Sequence, residues 1–370
     1  MSTPDRRPGT RGGAAIRLRR ITLALFLAAM SPFVCGQSDF ARVQRGVALK
    51  FPRDHGSHPQ FRNEWWYITG RLRAGGRELG MQITFFRNRP RVAEDSPSRF
   101  APRQLLFAHA ALSIPERARY LSDQRVARAG FGLAEAAEGE TNVVIEDWSL
   151  RADGAGYAAE ISARDFRYAL RFEARQPPLL QGERGFSRKG PNTAQASYYY
   201  SLPHLAVKGS VFVQGSELEV TGEAWLDHEW SSEPLAEGAA GWDWVGINLA
   251  DGGALMAFRI RGKDGSTIWA GGALRGAGGR LRNLQPAEVR FTAVRRWRSP
   301  RSGAEYPVAV RVEAGGFALQ LDPLMDDQEL DARASTGTVY WEGAVRARQG
   351  EKTAGQGYLE LTGYWKPLGL

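Results

Sequence analysis

The segment that decides the fold reads WLDHEWSS from Trp225 to Ser232 and continues, after a short loop, as GWDWVGINL from Gly241 to Leu249. It contains four of the 11 tryptophans and four titratable side chains, which are Asp227, His228, Glu229 and Asp243. Large aromatic faces beside titratable groups are typical of a pocket that binds an apolar ligand and moves a proton. The segment lies near the middle of the chain, where we expect one β-barrel to end and the next to begin.

Strand patterns recur on both sides of this segment. Short apolar runs bounded by turn residues fill most of the chain, and only the part from Asp123 to Glu138 has a weakly helical pattern. The segments that begin at Trp65 and Trp242 are each a tryptophan-led strand, a double-glycine turn and an apolar strand, which indicates a duplication. We therefore predict an all-β fold of two tandem antiparallel barrels, with roughly eight strands each and room for one small ligand.

The N-terminus has the pattern of an export signal. A basic region of six arginines precedes an apolar run from Ile21 to Met30, which is too short to span a membrane, and small residues then suit cleavage after Gly36. We predict a cleaved signal peptide over residues 1–36 and a protein of the periplasm or cell envelope. The alternatives are a lipoprotein signal with Cys35 as the lipidated residue and an uncleaved anchor.

Removal of the leader changes the charge and the cysteine content. Its six arginines and one aspartate account for +5 of the net charge of +9, so the mature chain carries +4, which does not indicate a nucleic-acid partner. Cys35 is the only cysteine, so the mature protein would be held together by its core and not by disulfides. We predict a first barrel over residues 48–227 and a second over residues 228–370.

The central motif divides its side chains between two faces. On a β-strand, Asp227 and Glu229 point one way while His228 and Trp230 point the other. A histidine or protonated carboxyl facing an apolar cavity would donate a proton to a carbon–carbon double bond, and tryptophan faces would stabilise the resulting carbocation. The alternative is a buried polar cluster that joins the two barrels, because structural ion-pair networks are also common.

Two further strand openings combine aromatic and acidic residues. The spacing places Trp242 and Trp244 on one face and Asp243 on the other, so the tryptophans either contact a ligand or close the barrel floor. In the first half of the chain, Glu64 and Trp66 share a face. Burial would raise the pKa of Glu64 and make it an acid, whereas an exposed Glu64 would only open the strand.

The remaining candidates are isolated polar groups. His109 lies in an apolar run and is either a core residue or a pocket residue beside His228, while Tyr200 either orders water or packs in an aromatic strand. His55 and His58 lie in a proline-rich loop without a cysteine partner, so we predict no metal site. The sequence has no Gly-rich phosphate loop, no G-x-S-x-G and no H-E-x-x-H motif, so it indicates none of these enzyme classes.

Several blocks in a fixed order give the chain a resemblance to a known family. They are FPRDHG from Phe51, NEWWY from Asn63, QLLFAH from Gln104, YSLP from Tyr200, WLDHEWS from Trp225 and GWDW from Gly241. Together they resemble the carotenoid 1,2-hydratase (hydroxyneurosporene synthase)-like family, also called AttH-like, over about residues 48–366. The combination is specific, although no single block is.

The resemblance implies two lipocalin-like, calycin-type barrels in tandem and an apolar ligand. In the hydratase members, water is added across a terminal double bond of an acyclic carotenoid without an organic cofactor. Other members look like exported lipocalin-like proteins, some of them associated with ABC-type export systems. By this resemblance Asp227, His228 and Trp230 lie in the reactive region.

The residue patterns and the resemblance together give one set of site residues. The candidate catalytic residues are Asp227, His228 and Glu64. The candidate ligand contacts are Trp66, His109, Tyr200, Trp230, Trp242, Asp243 and Trp244. No cofactor and no metal is expected.

Two functions fit this set. The first is a cofactor-free hydratase that adds water to a double bond of an isoprenoid or polyene. The second is a non-catalytic carrier of a lipid or apolar metabolite, serving the membrane or an ABC-type transporter. The position of Asp227 and His228, facing a cavity or a seam between the barrels, separates the two.

Overall fold

The structure is a computed structural model that describes residues 40–91, 96–233 and 235–368. The predicted signal peptide over residues 1–36, including Cys35, lies outside the described residues. Those that are described belong to a single packed unit. None of the helices among them combines the length and the apolar character needed to cross a membrane.

Within the described residues, thirteen strands form a first sheet and ten form a second, and neighbouring strands run antiparallel. The first sheet consists of β1 Asn63–Ala74, β2 Arg77–Asn88, β3 Leu105–Ile114, β4 Arg119–Arg128, β5 Ala134–Ala136, β6 Asn142–Ile145, β7 Trp148–Asp153, β8 Gly156–Ser162, β9 Phe166–Glu173, β10 Leu179–Leu180, β11 Phe186–Arg188, β12 Ala196–Val213 and β13 Ser216–Ser231. The second consists of β14 Ala239–Leu249, β15 Ala254–Gly262, β16 Thr267–Arg275, β17 Leu281–Leu284, β18 Val289–Arg298, β19 Glu305–Ala314, β20 Phe317–Pro323, β21 Glu329–Ala332, β22 Thr338–Gln349 and β23 Lys352–Leu361. Short 3-10 helices span Arg53–His55, Pro115–Arg117 and Pro286–Glu288. This architecture confirms the predicted all-β fold of two tandem lipocalin-like barrels.

The strands far from the junction of the two sheets have one buried and one exposed face. In β9, Phe166, Tyr168, Leu170 and Phe172 are buried and every residue between them is exposed. This period of two is the mark of a strand with one face in the core and the other in water. Each sheet curls around its own apolar core in this way.

The strands at the junction are buried on both faces. The part of β13 from Ala224 to Ser231 is buried at every position, because one of its faces covers the first core and the other faces the second sheet. A third apolar cluster fills the space between the sheets and takes Tyr67 and Tyr199 from the first and Trp244 and Phe258 from the second. The junction therefore provides two separate interiors on the two sides of one strand.

The two sheets have the same central arrangement. β1 lies between β2 and β13, and β14 lies between β15 and β23, so the first strand of each sheet pairs with the second and with the last. The hairpins β1–β2 and β14–β15 are the two segments whose similarity is visible in the sequence. The chain passes from the first sheet to the second between Ser231 and Ala239, so the predicted boundary at residue 227 falls within β13.

The weakly helical prediction for Asp123 to Glu138 is wrong. The segment contains most of β4 together with β5, and β4 pairs with β3 along its whole length. Ladder hydrogen bonds to β3 and burial of Leu121 outweigh the local helical preference.

The core of the second barrel offers a direct test of the fold. Leu359 on β23 is fully buried, whereas Leu281 on β17 is 44% exposed. We expect Leu359→Ala to lower the free energy of unfolding by about 2–5 kcal/mol, because it leaves a cavity in a packed core. The matched Leu281→Ala should change it by less than about 0.5 kcal/mol. Urea unfolding of both variants measures this, and equal losses would contradict the assigned core.

Candidate active site

A cavity of about 570 Å³ lies between the two sheets. Its walls are largely aromatic and include Trp65, Tyr67, Tyr199, Trp242, Trp244 and Phe258. Six carboxyl residues also line it, which are Glu64, Asp227, Glu229, Glu233, Glu342 and Glu360. The volume and the mixture of apolar walls with a few polar groups are typical of a small-molecule site.

Asp227 lies on the cavity side of β13. Tyr67 of β1 and Ser201 of β12 are its directly paired neighbours. Its Oδ1 accepts hydrogen bonds from the Ser201 hydroxyl at 2.5 Å and from Trp225 Nε1 at 2.7 Å, and its Oδ2 accepts one from the Tyr199 hydroxyl at 2.5 Å. Burial raises the pKa of Asp227 to about 7, although these three hydrogen bonds oppose the rise. Asp227 therefore exchanges its proton near neutral pH.

Two further carboxyl groups lie opposite each other on β22 and β23. Glu342 pairs directly with Glu360, which in turn pairs with Trp244 of β14. The Tyr67 hydroxyl donates to Glu342 Oε2 at 2.9 Å, and Trp242 Nε1 donates to Glu360 Oε2 at 2.9 Å. Burial and the charge of Glu360 raise the pKa of Glu342 well above its usual value.

The pKa of Glu360 is raised to about 7 by burial and by the charges of Asp227 and Glu229. Neither Glu342 nor Glu360 was predicted from the sequence. The available signal was a glutamate with two non-polar neighbours, Trp341 and Gly343 in one case and Leu359 and Leu361 in the other.

A lysine also lines the cavity. Lys189 Nζ lies 2.9 Å from Glu229 Oε1 and 4.5 Å from the ring centres of both Tyr199 and Phe258. Its charge is therefore held by one carboxylate and two aromatic faces. On a second wall, His109 Nδ1 lies 2.7 Å from the Tyr340 hydroxyl and its Nε2 lies 2.8 Å from Ser335 Oγ. Burial lowers the pKa of His109 to about 3, so this histidine is neutral.

The other face of β13 enters a separate cluster inside the first barrel. His228 Nε2 lies 2.9 Å from Glu64 Oε1, and His58 Nδ1 lies 2.7 Å from the same oxygen. Arg87 Nε donates to Glu64 Oε2 at 2.8 Å. Burial opposes the ionisation of Glu64, but the two histidines and Arg87 outweigh it and hold its pKa below the usual range. The expectation that burial makes Glu64 an acid is therefore wrong.

The partners define the protonation of this cluster. Because Glu64 is a carboxylate and only accepts, both histidines donate to it. Burial lowers the pKa of His228, whereas the bonds of His58 to Asp54 and Glu64 outweigh its burial and raise its pKa. His228 is thus neutral, and its Nδ1, 3.1 Å from the Tyr200 hydroxyl, accepts a hydrogen bond from it.

Aromatic rings enclose the cluster. The indole of Trp66 stacks on the His228 ring with 4.6 Å between the ring centres, and Trp230 stacks on His58 at 3.8 Å. The Tyr200 hydroxyl lies 2.7 Å from His55 Nδ1 and extends the chain of polar groups.

The nitrogen and oxygen atoms of His58, Glu64 and His228 lie within 4.8 Å of one another, a donor set that suits a divalent cation. Such an ion would have to break both histidine bonds to Glu64 and add positive charge beside Arg87. The arrangement therefore fits a hydrogen-bond network better than a metal centre.

Asp243 lies in a third place. It is buried on the face of β14 opposite to Trp242 and Trp244, where it accepts hydrogen bonds from Arg259 Nε and Arg261 Nε, each at 2.7 Å. The structure thus divides the predicted site residues among three locations. Those at the cavity between the sheets are Asp227, His109, Trp242 and Trp244. Those inside the first barrel are Glu64, His228, Trp66, Trp230 and Tyr200, of which Glu64 also borders the cavity. Asp243 lies apart from both groups.

The structure thus combines tandem calycin-type barrels with an aromatic, acid-lined cavity between them. The family model described as AttH-like matches residues 42–364, so the chain belongs to the AttH-like family. The crystal structure of a protein of Nitrosomonas europaea assigned to AttH is 54% identical, with a TM-score of 0.82, and the match covers 88% of this chain and 99% of that one.

More distant structures share the fold. Kievitone hydratase from Nectria haematococca has 14% identity and a TM-score of 0.64, over 89% of this chain and 97% of that chain. CghA, crystallised with Sch210972, has 14% identity and a TM-score of 0.50, over 82% of this chain and 89% of that chain. At this identity the likeness concerns the fold alone. No curated protein matches the sequence.

The network around Glu64 is expected to stabilise the first barrel. Glu64→Gln should lower the free energy of unfolding by about 3–5 kcal/mol, because it leaves the buried Arg87 without its carboxylate. Adding Arg87→Met should recover part of that loss. Glu160→Gln, on an exposed position of β8, is the control. A loss below about 1 kcal/mol for Glu64→Gln in urea unfolding would contradict the assigned ion pair.

The neutral His109 predicts a dependence of stability on pH. Folding lowers its pKa from about 6.5 to about 3, so between these values the unfolded chain binds more protons than the folded one. Stability therefore falls as the pH drops through this window. In His109→Gln, urea midpoints should fall less steeply between pH 6.5 and pH 4 than in the wild type.

His204 provides a control, because folding shifts its pKa in the opposite direction to that of His109. Its hydrogen bonds to Glu223 and to the carbonyl of Gly253 outweigh its burial and raise its pKa. The stability that it contributes is fully present below its unfolded pKa and is lost as the pH rises through its folded pKa. His204→Gln should thus cost more stability at pH 5.5 than at pH 9. The same pH profile in both variants would contradict the assigned protonation states.

Proposed function

We propose that this protein is a cofactor-free hydratase that adds water to a carbon–carbon double bond of an apolar small molecule, held in the cavity between the barrels. One observation carries the proposal: Asp227 lies in an aromatic cavity with a pKa near 7. A carboxyl group that is still protonated near neutral pH, in surroundings that exclude water, is suited to general acid catalysis. An isoprenoid or polyene fits the walls.

The reaction begins with proton transfer to the double bond. The Tyr199 hydroxyl lines the cavity and bonds to Asp227 Oδ2. When Asp227 is protonated at Oδ2 the direction of this bond reverses, so that the carboxyl donates to the phenol oxygen. The proton of Asp227 then moves to Tyr199 while Tyr199 gives its own proton to the alkene carbon. The π bond breaks, one C–H bond forms, and the positive charge develops on the more substituted carbon. Asp227 is left as a carboxylate.

The cavity walls suit the cation that follows. The indoles of Trp242 and Trp244 line the cavity, and their electron-rich faces attract a positive centre. Trp244 Nε1 donates to the Tyr199 hydroxyl at 3.0 Å and fixes its position. Water then adds to the cation, a C–O bond forms, and the proton that the water loses returns to Asp227 through Tyr199. The acid is regenerated without a cofactor.

His228 and Glu64 have no place in this reaction. His228 is enclosed in the first barrel, on the other face of β13 from Asp227, and Glu64, which borders the cavity, is held as a carboxylate by two histidines and Arg87. Their contribution is to fix the position of β13, which carries Asp227. Hydration is also the reaction named for kievitone hydratase, which has the same fold at 14% identity.

A carrier of a lipid or apolar metabolite is the second candidate. The leader-like N-terminus and the three hydrogen bonds that occupy Asp227 favour it, because a fully bonded carboxyl is also a stable structural group. In this case the protein acts in the periplasm or cell envelope and delivers its ligand to a membrane or an ABC-type transporter.

One experiment on Asp227 distinguishes the hydratase from the carrier. The mature protein is purified from its own envelope fraction, its ligand is extracted, and the masses are compared with those from Asp227→Asn. A hydratase should give a product heavier by one water, with a rate that falls as the pH rises above about 7. Asp227→Asn should lower this rate by about 10²–10⁴-fold.

Asp147→Asn, in an exposed turn, is the matched control and should keep the wild-type rate. The same unmodified ligand from the wild type and from Asp227→Asn would contradict the hydratase and support the carrier. No ligand in any of the three would contradict both.

A further inference from the structure

The pair of glutamates in the cavity has a feature that Asp227 lacks. Both oxygens of Asp227 accept hydrogen bonds from neighbouring side chains. Glu342 accepts one from Tyr67 through Oε2, whereas its Oε1 has no partner among the described residues although the side chain is fully buried. A buried polar atom without a partner is costly, and in a binding cavity it indicates a missing ligand group.

The carboxyl group of Glu360 lies beside that of Glu342. Glu342 and Glu360 are directly opposite each other on antiparallel strands, where side chains of one face are close neighbours. Two carboxylates at such a position repel each other, so one proton is retained by the pair. The hydroxyl of Tyr67 and the indole of Trp242 are fixed as donors to the two Oε2 atoms.

The other charged and titratable groups around the pair do not supply a counter-charge. Asp227 and Glu229 of β13 act on Glu360 with the same sign of charge, and the buried phenols of Tyr340, Tyr358 and Tyr120 lie near Glu342. Of the cations that line the cavity, Lys189 is bonded to Glu229, Arg87 is bonded to Glu64, and Lys366 lies over the ring of Trp365. The pair therefore remains neutral or carries one negative charge.

We propose that Glu342 and Glu360 form a proton-sharing pair that binds a neutral oxygen-bearing group of the ligand through Glu342 Oε1. The inference rests on the proposed binding of an apolar ligand in this cavity. An alcohol or a phenol completes the hydrogen bonds of Glu342, as acceptor from its acid form or as donor to its carboxylate form, whereas a carbonyl completes them only as acceptor from the acid form. A ligand carboxylate or phosphate is repelled. The preferred ligand is thus an apolar molecule with an uncharged oxygen at one end.

A set of three related probes tests this preference. Farnesene, farnesol and farnesoic acid share an apolar chain and end in a hydrocarbon, a hydroxyl and a carboxylate. Each displaces N-phenyl-1-naphthylamine from the mature protein at pH 7. Farnesol should bind about tenfold more tightly than farnesene, which corresponds to one additional hydrogen bond, and farnesoic acid should be the weakest.

Variants of Glu342 identify the group responsible. Glu342→Leu should remove the advantage of farnesol over farnesene, whereas Glu342→Gln should retain part of it because the amide still forms a hydrogen bond. Glu217→Gln, at an exposed position of β13 outside the cavity, is the matched control and should leave the ratio unchanged. An unchanged ratio in Glu342→Leu would overturn the proposal.

Infrared spectroscopy tests the shared proton without any ligand or turnover. At pH 7 the wild type should show the carbonyl stretch of a protonated carboxyl, and part of it should disappear in Glu342→Gln and in Glu360→Gln. An unchanged band in both folded variants would overturn the proton-sharing pair. This readout differs from that of Asp227→Asn, so a protein without hydratase activity could still confirm the pair, and a hydratase could still lack it.

Discussion

The structure depends on the pairing of β1 with the part of β13 from Ala224 to Ser231, which is buried on both faces. Because side chains alternate along a strand, the neighbours Asp227 and His228 enter different interiors. Asp227 meets Tyr67 and Ser201 at the cavity, while His228 meets Trp66 and Tyr200 inside the first barrel. One strand thus carries two polar clusters that do not share a side chain. A shift of register by one residue would exchange them and destroy both.

The two clusters differ in their positive charge. Inside the first barrel, Arg87 and the protonated His58 keep Glu64 ionised, and the network resembles a buried salt bridge with every polar partner in place. At the cavity, Lys189 is bonded to Glu229, and burial raises the pKa of Asp227 and of the Glu342–Glu360 pair, so that Asp227 and the pair each retain a proton near neutral pH. Similar carboxyl groups thus become a structural anion in one interior and acids in the other.

The sequence predicted much of the fold and part of the site. Alternating runs, the repeated tryptophan-led hairpin and the motif blocks were enough for two tandem barrels, and the alternation around Asp227 gave its separation from His228. The sequence did not predict that the site residues lie in two separate interiors, because this depends on which sheet covers each face of β13. Glu342 and Glu360 were not predicted for a related reason. Each is the one acidic residue of its strand and lies between non-polar neighbours. The packing of the second sheet against the first brings them to the cavity. The pKa of Glu64 depended on Arg87, which is 23 residues away in the sequence.

The hydrogen bonds that position the cavity groups also join the two sheets. Tyr67 of the first sheet donates to Glu342 of the second, and Trp244 of the second donates to Tyr199 of the first. Any rotation of one barrel against the other would break these bonds. Divergence toward new ligands is therefore expected to proceed through the aromatic walls, where volume changes gradually, while the polar cross-links are retained. In this fold, the need to keep the two barrels joined by these hydrogen bonds limits the reactions that the cavity can acquire.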